Sequence, residues 1–193
     1  MNQFESIFAR VKGIILTPKN EWEIIAEEKK TTSTVFKNYL LPLSAISVIA
    51  CYIGYGIVGS NQGMFGPIAT AELGYRNAAF NFINLIVSPF ISAFIISSLA
   101  TFFNAEKNFA KAFKLVVYSY TPMLVSSILY IVPSLSPLVL LAGIYGLYVQ
   151  YIGLIPMTKA TGDKTSVYFA VTLLTTIIVY FFISLILTPI LIH

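Results

Sequence analysis

The sequence predicts an all-α integral membrane protein: a five-helix transmembrane bundle with short amphipathic cytoplasmic helices at its N-terminus. Three observations predict it. Hydrophobic residues make up 57% of the chain and charged ones 10%, and the mean hydropathy is +0.82, a balance that fits a membrane domain and not a soluble one. Between Lys114 and Lys159 there is no charged residue, which is room for two helical crossings at about 20 residues each, with Pro133 to Pro137 as the only place to turn. Eleven of the 12 Lys and Arg residues fall on one side of the alternation that five crossings create. Lipid offers no partner to a backbone N–H or C=O, so the crossing segments must be helices.

Residues 1–37 read as a cytoplasmic, interfacial segment, and 38–193 as the membrane domain. From Phe4 to Ile15 the apolar residues Phe4, Ile7, Phe8, Val11, Ile14 and Ile15 recur at the spacing of one helical face, and Arg10 and Lys12 flank it. Such a helix either lies flat at the headgroups or packs on the protein's own cytoplasmic side. Thr17 and Pro18 open a second short helix, with acidic Glu21 and Glu23 near the positive end of its dipole. Trp22 and Ile25 give this helix an apolar side for interfacial anchoring or a local core.

The five spans cover about 38–58, 78–103, 113–132, 138–155 and 167–190. Pro42 sits in the first turn of the first span, where a missing N–H does no harm. A loop rich in Gly and Pro then leads to the second span. Pro89 interrupts the second span and Pro122 the third, each removing a backbone hydrogen bond and favouring a kink. Lysines gather at the N-terminal segment (Lys12, Lys19, Lys29, Lys30, Lys37), at the second loop (Lys107, Lys111, Lys114) and at the fourth (Lys159, Lys164), with Arg10 beside them. Only Arg76 falls opposite. The expected topology is therefore a multi-pass protein of the cell (inner) membrane, with the N-terminus in the cytoplasm and the C-terminus outside.

No Asp, Glu, Lys, Arg or His lies inside any of the predicted cores, where proton relays and ion-coupled carriers usually carry one. The sole histidine is the last residue, Cys51 is the only cysteine, and no paired carboxylates or Ser/His/Asp set lies at membrane depth. No enzyme activity, cofactor or metal is expected. With two arginines in the chain and its lysines in loops beside apolar spans, nucleic acid is not an expected partner either.

Uncharged polarity remains, in stripes. Asn77, Asn81, Asn84, Ser88 and Ser92 repeat at steps of three or four along the second span, and Thr172, Thr176, Tyr180, Ser184 and Thr188 at steps of four along the fifth. Asn81, Asn84, Ser88, Ser126, Tyr130 and Ser184 all fall in the outer half of the membrane. They form either a helix-packing face, in which small and hydroxyl side chains bond across helices, or a polar vestibule open to the outside and hinged at Pro89 and Pro122. Gln150, a lone amide at depth, needs a partner such as a tyrosine hydroxyl.

Several motifs carry a resemblance. Val117-Tyr118-Ser119-Tyr120-Thr121-Pro122, then Ile131-Val132-Pro133, then Ile144-Tyr145-Gly146-Leu147-Tyr148 with Tyr151-Ile152-Gly153-Leu154, closing on Met157 and Lys159, resemble the membrane domain of the Yip (Ypt/Rab-interacting protein) family. Leu16-Thr17-Pro18 with Trp22, Ile25 and Glu28 is similar to the entry motif of its bacterial branch. The resemblance implies a five-helix membrane domain with a cytoplasmic N-terminus and, in eukaryotic relatives, trafficking roles through small Rab-type GTPases. The acidic Asp-Leu-Tyr-Gly-Pro type motif that those relatives carry ahead of the first span is not visible here. The expected function is a non-enzymatic membrane scaffold that organises partners or lipid. Its lysine-rich face would meet the anionic cytoplasmic leaflet, and other membrane proteins or a second copy could join it. The alternative is a small transporter or permease subunit for an uncharged polar solute.

Overall fold

The computed structural model describes residues 3–63, 66–160 and 164–192. Two short helices, α1 (Gln3–Leu16) and α2 (Pro18–Glu27), precede α3 (Thr32–Val58), α4 (Ala71–Phe103), α5 (Phe109–Ile131), α6 (Ser136–Thr158) and α7 (Thr165–Ile192). The last five include the five helices that are long and apolar enough to cross a membrane. Between α3 and α4 a small antiparallel hairpin pairs β1 (Ser60–Gly63) with β2 (Gly66–Ile68).

Local chemistry sets the breaks. Pro42 has no N–H for the carbonyl four residues back, and α3 meets it with a π-helical turn over Phe36–Leu40. Pro122 likewise leaves the Tyr118 carbonyl without its helical partner; the Thr121 hydroxyl donates to it at 2.6 Å, and α5 breaks at Tyr120. Beyond Ser126 the same helix tightens into 3₁₀ turns and stops at Val132. The second span begins earlier than its hydropathy suggests, at Ala71, because the Thr70 hydroxyl caps the Leu73 N–H and Glu72 pairs with Arg76 one turn on.

The lysine-bearing turns lie at one end of the bundle. Glu106, in the α4–α5 turn, takes Lys111 at 2.8 Å and Lys159, from the α6–α7 turn, at 3.6 Å. The Lys111 hydrogen bond, more than the other neighbours, holds the Glu106 carboxyl below its ordinary range. Glu72, Arg76 and the hairpin lie at the opposite end.

α1 and α2 form a cap on the lysine-bearing end. Trp22 is fully buried against α6: its indole N–H donates to the Val149 carbonyl at 2.9 Å, and the ring occupies the space where a Cβ on Gly153 would sit. The Tyr145 hydroxyl donates to the Ile15 carbonyl at 2.8 Å. Of the two positions open to α1, the structure has the one on protein: Ile14 is buried, and Ile7 and Val11 pack on the same core. Arg10 therefore does not flank a lipid-facing stripe. It is 8% exposed, pairs with both Glu21 and Glu28, and its guanidinium carbon lies 5.4 Å from the centre of the Tyr118 ring. Lys114 is buried too and donates to the Glu28 carbonyl at 2.6 Å. Lys114, counted with the second loop, is thus buried at the mouth of the third span, where the cap supplies its partner.

Candidate functional site

Inside the bundle, toward the end opposite the cap, lies a cavity of about 650 Å³. That is within the usual size of a small-molecule site. All five long helices contribute to its wall. Cys51 and Tyr55 come from α3, Asn81, Asn84, Ser88 and Ser92 from α4, and Ser119, Tyr120 and Tyr130 from α5. The α6 side is Val139, Leu140, Gly146, Leu147 and Gln150, and the α7 side is Leu173, Thr176, Ile177, Tyr180 and Ile183. No lining residue is charged.

The way the sequence folds locally explains the polar side. The α4 stripe faces inward as its three- and four-residue steps require, and Asn84 and Ser88 are 8% and 7% exposed. Ser119 is held beside it because α6 crosses α5 at Gly146, where a Cβ would stand 2.6 Å from the Ser119 carbonyl oxygen. Some of the polar atoms are satisfied within the protein. The Ser47 hydroxyl donates to Asn81 Oδ1 at 3.2 Å, and the Asn84 amide N–H donates to the Phe80 carbonyl at 2.8 Å. Others are not. Asn84 Oδ1, Ser88 Oγ, Ser119 Oγ and Thr176 Oγ1 are buried without a hydrogen-bond partner, and all four belong to side chains of this cavity. A buried polar group left unpaired costs about 1–3 kcal/mol, so these four are groups that water or a bound molecule in the cavity would pair.

Of the six residues the sequence groups in the outer half, Asn81, Asn84, Ser88 and Tyr130 line the cavity. Ser126 and Ser184 are not among its lining residues; the Ser126 hydroxyl turns back to the Met123 carbonyl at 3.0 Å. Pro89 is buried within α4, and Pro122 stands at the break in α5. Among the family-motif residues, Pro18 opens α2, Trp22, Tyr118, Tyr145 and Gly153 join the cap to the bundle, Gly146 sets the α5–α6 crossing, and Tyr148 is half exposed, its ring 5.7 Å from that of Tyr145. Gln150 is also among the lining residues. Sequence reasoning passed over Ser119, Tyr120 and Cys51. A signal existed for Ser119, which precedes the helix break that Pro122 forces.

Packing glue and a binding site make opposite predictions for these hydroxyls. Ser88→Ala and Ser119→Ala are expected to leave thermal stability in detergent unchanged or to raise it by up to about 1 kcal/mol, since each deletes an unpaired buried group. If the hydroxyls join helices, each substitution will instead lower stability by about 0.6 kcal/mol.

The protein-family model of the Yip1 domain matches residues 12–185, from within α1 through most of α7. No curated protein and no solved structure matches the chain. The match takes in nearly the whole chain and all five long helices, and the chain belongs to the Yip1 domain family.

Proposed function

We propose that this Yip1-domain protein is a non-enzymatic membrane protein that organises lipid and membrane partners, and that it does so by holding an uncharged polar group within its own bundle. One observation carries the reading: four buried side chains of one charge-free cavity each carry a polar atom without a hydrogen-bond partner. In the proposed orientation the cap and lysine-bearing turns face the cytoplasm, where lysines near an anionic leaflet contribute about 1 kcal/mol each. The cavity then lies in the outer half of the membrane. A second reading, passage of a small uncharged solute, draws support from the length of the cavity, which runs from Asn77 and Ser136 at the far end to Ser92 and Gln150 at mid-bundle.

The test uses cysteines in a Cys51→Ala background, because Cys51 itself lines the cavity. Asn84→Cys is expected to react with a small membrane-permeant thiol reagent at least tenfold faster than Ser44→Cys. Ser44 is just as buried but is not a lining residue. Silence at both Asn84→Cys and Ser88→Cys overturns the reading. Flux of a neutral polyol through liposomes carrying the purified protein would favour passage over retention.

A further inference from the structure

We infer that the cavity is entered sideways from the lipid and takes a neutral lipid whose head bears a hydroxyl group. This rests on the reading above that the cavity holds an uncharged polar group, and adds its class and its route.

The route follows from where the wall is exposed. Among the lining side chains, Asn84, Ser88, Ser92 and Ser119 on α4 and α5 are all buried, Ser92 and Ser119 at 2% exposure. The large exposed ones are Leu140 on α6 at 70%, with Ile177 and Tyr180 on α7 at 55% and 47%. The cavity therefore has a closed polar back and an apolar mouth between α6 and α7. These two helices meet near the turn that joins them, where the Tyr151 ring stands edge-on to Phe169 at 5.1 Å and the Tyr151 and Ser166 hydroxyls lie 3.2 Å apart. Beyond that point α7 follows α4, to which the Tyr168 hydroxyl donates at the Ile96 carbonyl. In a bilayer a mouth on that flank opens on acyl chains, not on water.

The class follows from the donor and acceptor inventory. Asn84 Oδ1 can only accept, so the occupant must donate; the hydroxyls of Ser88, Ser119 and Thr176 can do either. An ester without a hydroxyl leaves Asn84 unpaired. A phosphate finds no cation, and an unpaired charge in this setting costs several kcal/mol. A monoacylglycerol or a long-chain alcohol satisfies both conditions, with its head at the back and its chain lying out between Leu140 and Ile177.

The full chain in phosphatidylcholine nanodiscs is exposed to a monoacylglycerol carrying a photoactivatable group in its chain, and the labelled peptides are mapped. Labelling is expected to concentrate on residues 140–150 and 173–183, to be competed by unlabelled monoacylglycerol, and to resist an equal amount of phosphatidate. Ile177→Trp and Leu140→Trp, both at lipid-facing positions, should each cut it at least fivefold with the melting temperature unchanged. Ser88→Ala combined with Ser119→Ala should weaken the competition at least fivefold. Labelling that also covers the exposed α3 flank at Ile46 and Ile49, or that phosphatidate competes equally, overturns the inference. If Asn84→Cys still reacts with the permeant reagent in that case, only the lipid and its route fall. If both experiments fail, the binding reading falls too.

Discussion

Replacing Arg10 by methionine is expected to cost about 3–5 kcal/mol of the stability that holds the cap on the bundle, because it strands Glu21 and leaves Glu28 only the half-exposed Lys30, 3.2 Å away. Glu21 and Glu28 both bond to this guanidinium, with side chains only 14% and 21% exposed. Arg10 also bridges three elements, of which Lys114 joins only the last two: it comes from α1, its two partners from α2 and the segment just after it, and the ring beneath it, Tyr118, from α5. Lysine cannot replace it, since a single ammonium does not span two carboxylates while lying flat on a ring. Arg10→Lys should therefore recover less than half of the loss. Removing the carboxylates together with the arginine, as Arg10→Met with Glu21→Leu and Glu28→Gln, should restore most of it, because a buried ion pair is far costlier to halve than to delete. Thermal unfolding in nanodiscs and protease cleavage within residues 1–31 read the effect. Arg10→Met with melting and cleavage as in the parent protein would mean that the ion pairs are not what docks the cap.

The bundle was legible from sequence because each crossing is decided locally, by some 20 apolar residues in a row. Ends were less so. The loop read over 59–77 holds a hairpin and the first turns of α4, since a Gly- and Pro-rich composition hides the Thr70 cap that starts the helix. The cap was legible as two helices but not as a docked unit. Arg10 has the same sequence signature whether it snorkels to headgroups or buries itself, and its partners stand 11, 18 and over a hundred residues away. The polar stripe of α4 was legible because a period of three or four places Asn81, Asn84 and Ser88 on one face. What that face meets was not. Ser126 leaves the group because α5 gives way to 3₁₀ turns after Pro122 and its hydroxyl bonds locally, whereas Ser119 enters it because Gly146 lets α6 come close.

Trp22→Ala should cost about 3–5 kcal/mol, the range for deleting a fully buried aromatic side chain, and should do so by undocking α2 first. The ring touches three things at once: its N–H bonds to Val149, its edge meets Tyr118 with centroids 6.4 Å apart, and its face fills the notch at Gly153. A reciprocal variant separates lost area from lost seat. Gly153→Val leaves the tryptophan intact but puts a side chain where carbons of the indole now lie, its Cβ as close as 2.3 Å to them. Neither ring nor helix backbone can yield that much, so α2 must lift. Because Trp22 is the only tryptophan in the chain, its emission reports the docking directly. Gly153→Val should shift it to the red and make it quenchable by iodide added on the cap side, with the helix content of the bundle unchanged. Gly153→Ala should do the same, since the clash is already that of the Cβ it adds. Arg10→Met should produce a similar shift, because its partner Glu21 is the residue next to Trp22 on α2. Emission that stays blue and protected in Gly153→Val would mean that the indole sits elsewhere and that the cap is held by its charges alone.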